Sequence, residues 1–227
     1  MRITVKLGLG VLLSAMLSSG TLRAESCSGL GVEILSPLSP KAHSALCDSV
    51  AATLIFLKPL QLVVTKTLYI EVVQRPLVEQ GHAIFGSYDA VTDRITVMSQ
   101  AAIMEQDTSA LMYGQPFESD HYRGVIAHEV THAVVQQYVA DLNHTAQEYL
   151  AHAAQLAVLP ESRRRQIIGF ADVDPWRRDD VISDIYMAMA LTKFAVKCYL
   201  HLTEHLQPVQ LVQMLLASKW RFVVVVI

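Results

Sequence analysis

Two histidines and a glutamate stand in one short stretch, His128-Glu129-Val130-Thr131-His132. On an α-helix, residues four apart lie one above the other. The two imidazoles therefore point the same way and can place two nitrogens on one zinc ion at about 2.0 to 2.1 Å. Glu129 is next to His128 around the helix. From there its carboxylate reaches a metal-bound water without being a ligand and can take that water's proton. The competing reading is an accident of composition on an ordinary amphipathic helix. Against it, the apolar neighbours Val125, Ile126, Val130, Ala133 and Val134 bury this helix, and unpaired His and Glu are costly there.

Catalytic zinc takes three protein ligands and keeps one position open. Glu148, on the following helical segment, is the candidate third ligand, with His144 and His152 flanking it at helical spacing. A second role competes for Glu148: Thr145-Ala146-Gln147-Glu148 has the form of a capping box, in which the glutamate only satisfies backbone donors at a helix start. The metzincin extension would need glycine and histidine where Val135 and Tyr138 stand, which excludes that family.

The motif followed by Glu148 instead resembles the gluzincins, the thermolysin-like branch of zinc peptidases, over roughly residues 121–159. The resemblance implies a zincin-like fold, Zn2+ as cofactor, Glu148 as third ligand, Glu129 as general base, and a peptide or protein as substrate. Where the family often has an acidic residue four positions after the ligand glutamate, this chain has His152. A neutral imidazole is a poorer acceptor for a ligand histidine than a carboxylate is. Stabilising the oxyanion needs a further donor, for which Tyr186, His201, His205, Tyr138 and Tyr149 are candidates. Tyr186 and Tyr199 read more readily as anchors of a core helix.

The elements that must hold these residues follow from periodicity and punctuation. A helix is expected over 41–57, stopped by Pro59, and a strand over 62–73. A hairpin is expected with arms 83–88 and 94–98, the second arm offering an edge on which an extended peptide can add. Ser119 or Asp120 would cap the motif helix, 121–141. Further helices are expected over 143–159, over 161–168 closed by Gly169, over 179–205, and from Pro208 to 218. The apolar tail 222–227 reads as a strand. The fold class is α+β, mainly helical, with a small antiparallel sheet.

Composition narrows the function classes. A 52% hydrophobic share is ample for a core, and a net charge of -3 with interspersed signs leaves no footprint for nucleic acid. Arg163, Arg164 and Arg165 read as a solvated face. Residues 1–24 have a charged start at Arg2 and Lys6, an apolar stretch and a run of small residues ending at Ala24, the pattern of a secretory signal peptide. The apolar stretch falls short of the roughly 20 residues that cross a bilayer. No stable membrane span is expected after cleavage, although an uncleaved segment would serve as an anchor. Residues 25–227 then form a single catalytic domain in the periplasm or outside the cell, where Cys27 and Cys47 can pair and Cys198 stays buried. The alternative is a non-catalytic exported zinc-binding or partner-binding protein on the same scaffold, against which Glu129 argues. No feature specifies an oligomeric state.

Overall fold

The computed structural model describes residues 25–79, 81–106, 111–177, 180–220 and 222–223. The expected signal peptide, residues 1–24, and the end of the tail, 224–227, lie outside the described residues. Strands β1 (Glu25–Cys27) and β2 (Val32–Ile34) form an antiparallel pair that periodicity does not reveal, each being too short to show one. Helix α1 (Pro40–Leu57) begins as expected. Ser39 accepts the Ala42 N–H at 3.3 Å, and Pro40 takes the first turn, where its missing N–H is no loss. A disulfide joins Cys27 to Cys47 and so staples β1 to α1.

The strand expected over 62–73 is shorter, β3 (Leu68–Val73). After it come β4 (Leu77–Glu79), β5 (His82–Ile84), β6 (Gly86–Asp89) and β7 (Arg94–Met98). The expected hairpin is divided: 82–84 pairs with β4, and only Gly86–Asp89 pairs with β7. Its turn is held by Asp89, whose carboxylate accepts the Val91 N–H at 2.8 Å. The main sheet has the order β1-β2-β3-β7-β6. It is mixed rather than antiparallel, because β2, β3 and β7 run parallel and only the outer pairs are antiparallel. Parallel neighbours need a crossover, which α1 supplies between β2 and β3. Strand β7 is consequently interior and offers no edge. The edge is β6.

Helix α2 (Gln100–Gln106) leads to a small hairpin, β8 (Leu111–Met112) and β9 (Gln115–Pro116). Its turn, Tyr113-Gly114, has φ of +54° and +73°, the two positive values of a type I′ turn. A side chain at Gly114 would strike the Phe170 ring, whose nearest atom lies 2.3 Å from where its Cβ would be.

The motif helix is α3 (Ser119–Gln136). Its cap is Glu118, one residue earlier than expected, in a box closed by the His121 ring. Helices α4 (His144–Ala157) and α5 (Glu161–Ala171) follow, and α5 runs through Gly169 to end at Asp172 in the left-handed region. The long helix expected over 179–205 is broken. It gives β10 (Ile182–Ser183), α6 (Asp184–Met189) and α7 (Leu191–Glu204), with Ala190 non-helical at φ −149°. Helix α8 (Pro208–Leu216) precedes β11 (Phe222–Val223), which pairs parallel with β10.

The fold is therefore α+β and mainly helical. Its central element is α3, packed on α1, α4, β6 and β7, while α4 packs in turn on α7. Val125, Ile126, Val130, Ala133 and Val134 are each at most 3% exposed, so one stripe of α3 fixes the helix in the core and sets the direction of the opposite face. The arginine run is structural more than solvated: Arg163 pairs with Glu118, Arg164 caps the Ala157 and Leu159 carbonyls at 3.0 Å, and only Arg165 is exposed. Among the described residues no helix is long and apolar enough to cross a membrane.

Candidate metal centre

Helix α3 turns His128 and His132 toward α4 and Glu129 toward β6. The start of α4 decides the role of Glu148. Its cap is Asn143, which accepts the Ala146 N–H at 3.3 Å, so the capping box at Thr145 does not form. The Thr145 hydroxyl is hydrogen-bonded to Asp184 instead. Glu148 sits beyond the first turn with its carboxylate among imidazoles: Oε1 is 3.3 Å from His132 Nε2, and Oε2 is 3.5 Å from His128 Nε2. The two Nε2 atoms are 3.0 Å apart.

These distances test the fit of a metal. Two donors each about 2.05 Å from a tetrahedral zinc lie roughly 3.3 Å from one another. The Nε2 atoms 3.0 Å apart, with one carboxylate oxygen 3.3 Å from His132 and the other 3.5 Å from His128, are spaced on that scale. His128, His132 and Glu148 thus form a group that can hold a metal ion. His144 and His152 approach the carboxylate at 3.6 and 3.5 Å and are outside this group.

Burial of the Glu148 carboxyl would by itself raise its pKa. Hydrogen bonds from His128 and His132, with their charge, outweigh that and hold it well below the usual carboxylate range. Glu129 is the opposite case. It is 6% exposed, and burial raises its carboxyl to about 7, with His132 opposing and Glu148 and Glu79 adding to the rise. It packs against Gly86 on β6, where a Cβ would lie 2.8 Å from the Glu129 Cγ. Glycine here is a matter of space for the carboxylate.

Behind the His/His/Glu group is a polar cluster that spacing alone does not reveal. Gln155 Oε1 is 3.0 Å from His128 Nδ1 and 3.2 Å from His152 Nδ1, and it accepts the Tyr113 hydroxyl at 2.6 Å. The Tyr113 oxygen is 2.7 Å from His152 Nδ1. Burial, with the charge on His128 also opposing protonation, lowers His152 to about 3, so its ring is neutral. His152 lies 3.5 Å from the Glu148 carboxylate and packs edge-on against the His128 ring, while Gln155 is what hydrogen-bonds His128.

The other expected donors are elsewhere. Tyr186 packs on Trp176, and buried His201 bonds the Tyr149 hydroxyl at 3.0 Å. Tyr138 bonds the Val63 backbone. None of these lines the cleft in front of the metal group. That cleft, of about 580 Å³, is bounded by β6, the β8–β9 hairpin, α3 and α4, and it holds His128, Glu129, His132 and Glu148 beside Phe85, Tyr88, Met112 and Leu191. The missed residues, Gly86, Tyr113 and Gln155, carry no motif. Only the Tyr113-Gly114 turn left a trace, as glycine near a short apolar run.

Fold and site together define an α+β protein with a half-buried His/His/Glu group at the floor of a cleft. The chain belongs to a family of unknown function, DUF6639, whose model matches residues 34–225. No curated protein and no solved structure matches it.

Proposed function

We propose that this protein is an exported zinc-dependent peptidase of the gluzincin type, with Glu129 as its general base. One observation carries the reading: a buried carboxylate with its pKa near 7 stands beside a His/His/Glu group that opens on a cleft. Metal binding alone gives no reason to bury Glu129, whereas a group that must accept and return a proton near neutral pH works best at such a value.

His128, His132 and Glu148 would hold zinc. When bound, it supplies a Lewis acid that polarises a carbonyl and lowers the pKa of water. Glu129 takes the proton of the attacking water on its carboxylate and delivers it to the leaving amine. Edge strand β6, along the cleft, is the natural place for an extended peptide to pair. Export is supported by the N-terminal pattern of the sequence and by the Cys27–Cys47 disulfide, a bond that persists in oxidising compartments.

The test is cleavage of a mixed peptide library, followed by mass spectrometry, with wild type, chelated wild type, zinc-restored wild type and Glu129→Gln. Cleavage should occur only in the first and third. Stoichiometric zinc with no cleavage would overturn the peptidase and favour a binding protein on the same scaffold.

A further inference from the structure

The contacts of the cluster behind the His/His/Glu group constrain which atoms donate to Gln155. Gln155 Oε1 carries none, so each atom in hydrogen-bond contact with it must donate. Its orientation is set by the amide nitrogen, which faces Met112 Sδ at 3.2 Å. Tyr113 has a single hydroxyl proton and two short contacts, 2.6 Å to Gln155 Oε1 and 2.7 Å to His152 Nδ1. If that proton went to His152, two bare oxygens would face each other at 2.6 Å. It therefore goes to Gln155, and His152 must supply the proton of its own contact from Nδ1. The same reasoning applies to His128, whose Nδ1 is 3.0 Å from Gln155 Oε1 and must donate to it. Tyr113, His152 and Gln155 are 5%, 6% and 4% exposed, so water is not at hand to substitute.

We infer that Gln155, held by the Tyr113 hydroxyl, is a positioning residue that accepts from Nδ1–H of His128 and His152 and so turns the Nε2 atoms of both rings toward the metal group. Neutral histidine with its proton on Nδ1 presents Nε2 as an acceptor only. The carboxylate that usually orients a ligand histidine is here replaced by a neutral amide, and the left-handed turn at Tyr113 brings in the hydroxyl that fixes it.

The inference rests on the metal-site reading, but its first test does not need metal. Long-range proton–nitrogen correlation spectra of the ¹⁵N-histidine-labelled protein, with zinc removed, report the tautomer of each ring. His128 and His152 should both be Nδ1–H. Gln155→Leu should return His128 to Nε2–H and weaken zinc binding by about 10- to 100-fold in chelator competition. Gln155→Glu, which restores an acceptor of the same shape, should keep the tautomer and bind zinc within a few-fold of wild type. An Nε2–H signature for His128 in wild type would overturn the proposal, as would unchanged zinc affinity in Gln155→Leu. The wild-type spectrum decides the matter even if the leucine variant does not fold. Two Nδ1–H rings in a protein that binds no zinc would refute the metal reading and leave the clamp in place.

Discussion

In the metal-free protein, Glu129→Gln should raise stability at alkaline pH and leave it unchanged in acid. Burial is the largest cause of the raised carboxyl, so the folded state favours the neutral acid. A folded pKa above the unfolded one contributes stability that is fully present below the unfolded value and is lost as pH rises through the folded value. Here that window runs from 4.5 to about 7. At about 1.36 kcal/mol per pH unit, the interval corresponds to at most about 3 kcal/mol. Glutamine preserves the shape packed against Gly86 and cannot ionise, so it escapes the loss. The assay is urea denaturation of wild type and variant in excess chelator at pH 4.5 and pH 8.5. The two should be near equal at the lower pH, with the variant ahead by up to about 3 kcal/mol at the higher. A difference that does not change with pH would refute the argument that Glu129 is held near neutrality by burial.

Glu148→Ala should weaken zinc binding by roughly 100-fold or more, since one of few ligands in a site of about 10 to 16 kcal/mol is lost, whereas Thr145→Ala should keep zinc and lose about 1 kcal/mol of stability with its bond to Asp184; chelator competition and urea melts on both variants check this. Gly86→Ala should retain zinc but cut hydrolysis at least tenfold, because the new methyl group must displace the Glu129 side chain, and metal content measured beside turnover tests it. Replacing both Cys27 and Cys47 by serine should cost about 3 kcal/mol in thermal or urea unfolding, as expected from opening a loop of 20 residues.

The parts of the fold that could be read in advance are those with local causes. Helix α3 shows in the sequence because Val125, Ile126, Val130, Ala133 and Val134 repeat at helical spacing, and α1 because Pro59 stops it. The metal group was half visible: His128 and His132 share one helix face by geometry, but Glu148 could be ligand or cap until Asn143 was found to cap α4. What could not be read depends on tertiary packing. The strands of the main sheet run from three to six residues, too short for a period, and their parallel pairing is decided by what crosses between them. The break at Ala190 has no glycine or proline to announce it. Tyr113 and Gln155 are distant in sequence and meet only because a tyrosine adopts a left-handed turn, against its intrinsic preference.

The count of zinc ions bound per chain, when the metal-free protein is titrated against a chelator of known affinity, tests the metal centre most directly. Wild type should take up one zinc tightly, and His128→Ala and His132→Ala should each lose most of that binding while remaining folded by circular dichroism. Wild-type affinity in both histidine variants, or no tight zinc in the wild type, would contradict it.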